Sequence, residues 1–142
     1  MKMLDTPHLT TYFGNCHCGL VKFTAALPDL RSGKINSCNC SICTKNGDLL
    51  AYPKVADLKF LCGEADLTMY RFGNAKKPHK FCPKCGTSIM IDFSEAEHEV
   101  ERTVNAVNIR TFVGIEDILD EIDLRRVNGK EKLYPPYQVP TF

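Results

Sequence analysis

The chain has 142 residues and a mass of 16.0 kDa, with 44% hydrophobic and 25% charged residues, a globular composition that suits one domain spanning 1–142. Eighteen Lys and Arg against seventeen Asp and Glu leave a net charge of +1, so there is no broad field to hold a polyanion by counterion release. This argues against a nucleic-acid partner. From Met1 to Phe13 there is no apolar signal core, and nowhere do apolar residues run long enough to cross a bilayer. The expectation is a soluble protein without a membrane partner, cytoplasmic, with the nucleus also open; the oligomeric state is not legible.

In chain order, Thr10 to Phe13 is β-prone, and Leu20 to Thr24 alternates apolar and polar residues as a half-buried strand does. Ala51-Tyr52, Leu58 to Leu61, Leu67 to Phe72, Ser88 to Phe93 and Val104 to Phe112 are further β-like runs, punctuated by Pro53, Gly63, Gly73 and Gly86. Ile115, Ile118, Leu119 and Ile122 fall at helical spacing and predict one amphipathic helix. Pro135, Pro136 and Pro140 predict an extended tail. The expected class is mainly β with little helix. Lys76-Lys-Pro-His-Lys80 reads as a solvated hairpin tip, and Glu95, Glu97, Glu99 and Glu101 as a solvated edge or loop face. His17 and His98 have no partner predictable from spacing.

The unusual number is eight Cys. Cys16 and Cys18 form Cys-x-Cys, Cys38, Cys40 and Cys43 form Cys-x-Cys-x-x-Cys, Cys82 and Cys85 form Cys-x-x-Cys, and Cys62 stands alone. In a reducing compartment clustered thiols read as metal ligands, because neighbouring thiolates converge on one ion with little chain rearrangement. Disulfides and an iron–sulfur cluster stay open as alternatives.

Phe81-Cys-Pro-Lys-Cys-Gly86 has the form of a zinc knuckle and needs a second pair to close a four-thiolate site. Cys16 and Cys18 are the pair left once the central triplet is set aside. The triplet itself supplies three sulfurs and leaves a fourth zinc position for water or substrate, the pattern of catalytic zinc; closure by Cys62 is the alternative. Three thiolates make zinc a weak Lewis acid, better suited to holding a soft thiolate than to making hydroxide. The expectation is two zinc ions per chain, one structural and one catalytic.

These motifs resemble the glutathione-dependent formaldehyde-activating enzymes, a family that also includes the centromere-protein-V proteins. The resemblance runs through Gly14-Asn-Cys-His-Cys-Gly-Leu-Val-Lys-Phe23, Cys38-Asn-Cys-Ser-Ile-Cys-Thr-Lys45, Leu61-Cys-Gly63, Tyr70-Arg-Phe72, Phe81-Cys-Pro-Lys-Cys-Gly-Thr-Ser-Ile89 and Ala106-Val-Asn-Ile-Arg110. It implies a zinc-bound β-tent of small antiparallel sheets. By position, Cys16, Cys18, Cys82 and Cys85 match the structural zinc ligands and Cys38, Cys40 and Cys43 the catalytic ones. Cys62 falls where the family has no required ligand, and Thr44 departs from the basic or amide residue many members carry.

The activity implied is addition of glutathione, as co-substrate, to formaldehyde, giving S-hydroxymethylglutathione by a carbon–sulfur lyase reaction. A thiol of pKa about 8.5 is only about 3% ionised at neutral pH, a limit that metal coordination removes. Lys45 and Arg71 are candidates to pair the glutathione carboxylates, as is the 76–80 loop. The competing reading is a non-catalytic, zinc-stabilised module that binds a partner protein or chromatin.

Overall fold

The computed structural model describes residues 8–142; the part of the expected domain before residue 8 lies outside the described residues. In chain order come β1 (Thr10–Asn15), β2 (Lys22–Leu27), β3 (Ile35–Cys38), α1 (Ser41–Asn46), β4 (Leu50–Ala51), β5 (Leu58–Cys62), β6 (Thr68–Tyr70), β7 (His79–Phe81), β8 (Ser88–Ile91), β9 (Ala106–Asn108), α2 (Ile115–Ile118), β10 (Leu124–Val127) and α3 (Gly129–Lys132). The protein is mainly β with few, short helices. No described helix is long and apolar enough to cross a membrane.

Two sheets form. The smaller is antiparallel with strand order β1-β2-β5, and the larger runs β10-β3-β4-β9-β8-β7-β6. Within the larger sheet every pair is antiparallel except β10 with β3, which is parallel. Its middle strands are apolar on both faces, because each face has a layer to cover. Successive side chains on a strand point to opposite faces. Ala51, Met90 and Val107 accordingly join one buried cluster with Val21, Phe23 and Ala25 of the smaller sheet's side, while Leu50, Ile91 and Ala106 join a second cluster with Phe93 and Ala96. Burying a side chain such as Phe23 or Ile89 completely is worth about 1.5–3 kcal/mol each, so these clusters carry the fold.

Cysteines divide between the same two clusters. Cys16 and Cys82 are fully buried in the first, and Cys40 and Cys43 sit in the second. The larger sheet's opposite faces therefore feed different thiol groups.

Several local expectations change. Ser41–Asn46 is helical although its single short turn carries too few periodic residues to read as a helix, and β3, β7 and β10 form where no strand was expected. Their stability comes from sheet neighbours rather than from local pattern. The helix expected over 115–122 is α2 followed by a separate 3-10 turn at Leu119–Glu121, and Val104 to Phe112 is β9 running into a 3-10 turn at Ile109–Thr111. Glu99–Thr103 is also 3-10. Beyond Lys132 no regular element forms, as the prolines predict.

The 76–80 segment is not a solvated tip. Lys80 pairs with Asp92 at 3.1 Å and Lys77 with Glu101 at 2.6 Å, while His79 is buried against the Phe72 ring. Burial pushes the His79 imidazole below its ordinary pKa of 6.5, against a hydrogen bond from its Nδ1 to the Lys77 carbonyl. As pH falls the unfolded chain takes up this proton first, so stability present above 6.5 is lost on acidification. With zinc saturating, the drop in urea midpoint between about pH 7 and about pH 5 is expected to be smaller in His79→Phe than in the parent. Equal drops would remove His79 from the account.

Candidate functional site

Two turns build the first thiol group. Between β1 and β2 the chain reverses through Cys16-His-Cys-Gly19, with the Cys16 N–H donating to the Val21 carbonyl at 3.0 Å and the Gly19 N–H to the Cys16 carbonyl at 3.0 Å. Between β7 and β8 the same design recurs: the Cys82 N–H donates to the Thr87 carbonyl at 3.0 Å and the Gly86 N–H to the Cys82 carbonyl at 2.8 Å. Gly86 has φ of +78°, a left-handed conformation glycine adopts without a Cβ penalty, and this turns the chain back under the Cys85 sulfur.

These turns meet face to face. The sulfurs of Cys16, Cys18, Cys82 and Cys85 all lie within 4.8 Å of one another, with Cys16 to Cys18 at 3.6 Å and Cys18 to Cys82 at 3.7 Å. Four thiolates at zinc bond lengths of about 2.3 Å occupy tetrahedron corners about 3.8 Å apart. The cluster therefore fits a tetrahedral metal ion with almost no rearrangement. All eight cysteines are free thiols, so the disulfide alternative has no counterpart in the structure.

Donors around the sulfurs favour anions. Cys16 Sγ accepts the Val21 N–H at 3.2 Å; burial pushes this thiol up, but that amide and the thiols of Cys18 and Cys82 bring it below its ordinary value. The Thr87 hydroxyl, 3.2 Å from Cys85 Sγ, pulls that thiol down to about 5, helped by the Cys18 and Thr87 amides. Thr87 Oγ1 also accepts the His17 N–H at 3.1 Å, so one hydroxyl ties the two turns together. Thr87 was missed by sequence reasoning, although its place directly after the Cys-x-x-Cys-Gly turn was a usable signal.

The central triplet is arranged differently. Cys38 ends β3, Cys40 occupies the residue before α1, and Cys43 lies one turn further on, buried. Interaction with Cys43 pulls the Cys40 thiol down to about 5; burial opposes this, and the Cys43 and Ile42 amides facing the sulfur support it. Cys43 is pushed up, by Cys40 first, then by burial and by the charge of Asp48. Burial also raises Cys38, against a backbone N–H from Gly129. Cys40 interacts with both Cys38 and Cys43, yet among the described residues the four-thiol cluster is the one set of three or more such ligand atoms all within 4.8 Å. Cys62 is exposed in β5, its thiol 3.5 Å from the Leu20 carbonyl, and belongs to neither group.

A strap from the C-terminal part of the chain covers the triplet. β10 pairs with β3 so that Val127 stands opposite Cys38. The Asn39 N–H donates to the Val127 carbonyl at 3.1 Å, the Lys130 N–H to Asn39 Oδ1 at 2.9 Å, and Asn39 Nδ2 to Asn128 Oδ1 at 3.0 Å. Gly129, at the start of α3, is pressed so close that a Cβ there would overlap Cys38 Sγ and stand 3.1 Å from Cys40 Cβ. Local sequence carries no sign of this contact.

Lys45, on α1, lines a small cleft with Ser41, Ile42, Tyr70, Phe72 and Tyr137. Arg71 is engaged elsewhere, donating to Glu95 Oε2 at 2.7 Å and to the Ala75 carbonyl at 2.6 Å.

The sequence profile of the glutathione-dependent formaldehyde-activating enzymes matches residues 11–120, a span that contains all seven clustered cysteines and stops short of β10 and α3. Among solved structures, the crystal structure of a Rhodobacter sphaeroides protein superposes with a TM-score of 0.66 at 27% identity, over 80% of this chain and 99% of that one. With its profile covering both thiol groups and most of both sheets, the chain belongs to the family of glutathione-dependent formaldehyde-activating enzymes.

Proposed function

We propose that this protein is a zinc-dependent carbon–sulfur lyase that adds glutathione to formaldehyde or another small aldehyde, as an S-(hydroxymethyl)glutathione synthase does. The observation that carries the reading is the division of seven thiols into a closed four-sulfur cluster and a separate three-sulfur group in a different part of the core. Four thiolates complete a structural ion and three leave one position open. Zinc at that position would hold the incoming sulfur as a thiolate at neutral pH.

The remaining chemistry belongs to the chain. Cys38, Cys40 and Cys43 present the position from a strand end and the first turn of a helix, so that β3 and α1 fix their directions. Lys45, which has no ion pair among the described residues, pairs a glutathione carboxylate, and Arg71, whose Nη1 holds Glu95, offers its remaining guanidinium donors to another. In the reaction the thiol loses its proton, a carbon–sulfur bond forms, the carbonyl π pair moves to oxygen, and that oxygen takes up a proton. No electrons are gained or lost overall. A cytoplasmic location, with small-molecule thiol and aldehyde as partners, accords with this chemistry.

Zinc K-edge X-ray absorption tests the reading. Saturating glutathione is expected to raise the average sulfur coordination per zinc, because one of two ions gains a thiolate. Unchanged sulfur coordination at saturation would remove glutathione from the metal and overturn the mechanism. Thiol-dependent aldehyde consumption by the same sample separates the enzyme from a binding module.

A further inference from the structure

Asn39 stands between Cys38 and Cys40, and the reading above gives it no role. Its side chain bonds to residues 91 and 89 positions away: Oδ1 accepts the Lys130 N–H at 2.9 Å, and Nδ2 donates to Asn128 Oδ1 at 3.0 Å. A carboxamide offers a donor and an acceptor at once, which a carboxylate does not. Asn128 is held in turn, since its Oδ1 also accepts the Glu131 N–H at 3.4 Å and its Nδ2 donates to Glu131 Oε2 at 3.0 Å. The two bonds from Asn39 thus fasten the start of α3 as one piece.

Gly129 lies between the two fastened residues and is buried. A Cβ on it would overlap Cys38 Sγ and stand 3.1 Å from Cys40 Cβ, so the backbone of residue 129 rests directly on two of the three central cysteines. β10 is an edge strand bonded to β3 alone, and its ladder ends at Val127 opposite Cys38. One further backbone bond follows, from the Asn39 N–H to the Val127 carbonyl at 3.1 Å. Past that point the Asn39 carboxamide ties the segment down, so loss of the carboxamide frees α3 while leaving β10 paired. The segment lies beyond residues 11–120, and family membership assigns it nothing.

We propose that Asn39 is a positioning residue of the central site: its carboxamide latches Asn128–Lys130 so that Gly129 stays seated on Cys38 and Cys40, and release of this latch sets how fast those two thiols are reached. The proposal deepens the central-site reading above and rests on it for its bearing on catalysis. The latch acts through Gly129, and Asn39 itself touches no reacting atom. Local opening of an edge segment of this kind needs no unfolding of either core cluster.

Iodoacetamide labelling of the zinc-loaded protein, resolved cysteine by cysteine by peptide mass spectrometry, tests the latch without glutathione or turnover. Asn39→Ala removes two hydrogen bonds and is expected to speed labelling of Cys38 and Cys40 by about 10-fold. Asn39→Leu, which keeps the bulk and loses both bonds, is expected to match it. Cys62 and the four cluster cysteines are expected to label at parent rates, a selectivity that general loosening of the fold would not give. Asn128→Ala is expected to act in the same direction, and the double variant with Asn39→Ala to label no faster than Asn39→Ala alone, because both changes open one contact. Parent rates at Cys38 and Cys40 in Asn39→Ala, a rise shared by all the cysteines, or additive effects in the double variant overturns the proposal. Zinc content of the same parent sample tests the two-site reading separately, since one ion per chain would sink that reading while the labelling comparison still decides the latch.

Discussion

Cys85→Ser is expected to leave the chain without a cooperative fold. Cys85 is the cleanest of the four cluster thiols to change, because it is only partly buried and its loss leaves no cavity in the core. A structural zinc contributes about 10 kcal/mol or more of folding free energy, comparable with the entire net stability of a small domain. The cluster also closes a long loop, with Cys18 and Cys82 64 positions apart, and pins the β1–β2 turn to the β7–β8 turn across the core. Far-ultraviolet circular dichroism and metal content check the outcome. A folded Cys85→Ser protein that retains two zinc ions per chain would remove the structural assignment.

The second large effect separates fold from function at the central triplet. Cys43→Ser is expected to fold, to retain the four-thiolate ion, and to lose the central zinc together with thiol-dependent aldehyde consumption. Gly129→Ala reaches the same site from outside the ligand set. Its methyl group has no space beside Cys38 Sγ, so either the sulfur or the strap must move, and the strap follows the edge strand β10. Central-site zinc affinity is expected to fall on the order of 10- to 100-fold, with activity following it. Metal content, circular dichroism and aldehyde consumption on both variants decide the matter. A Cys43→Ser protein that is fully active without its second zinc contradicts the catalytic assignment, and unfolding of both variants would make the central ion structural.

These two results bear differently on the apo and loaded protein. In the metal-free chain the Cys85 and Cys40 thiols are each held near 5 while Cys18 is pushed up to about 11. For Cys18 the Leu20 amide pulls downward, but burial and the three neighbouring thiols outweigh it. Crowding of thiols forces unequal sharing of protons, and a divalent ion relieves it by balancing all the sulfur charges at once.

Sequence alone was sufficient wherever a motif is local. Each Cys-x-Cys, Cys-x-x-Cys and following glycine specifies its own turn, since the chemistry needs close spacing, and the pairing of Cys16 and Cys18 with Cys82 and Cys85 followed from counting thiols. The mainly β class was legible from alternation in Leu20 to Thr24 and Ser88 to Phe93, because period-2 patterning reports burial of one face directly. Tertiary structure decided what depends on distant neighbours. β3 and β10 are strands because they pair with each other, α1 is helical because its Cys43 packs into the second core cluster, and His79 is buried because β6 and β8 flank it. The Gly129 contact with Cys38 joins residues far apart in the chain, and no local pattern encodes a contact that only the closed sheet creates.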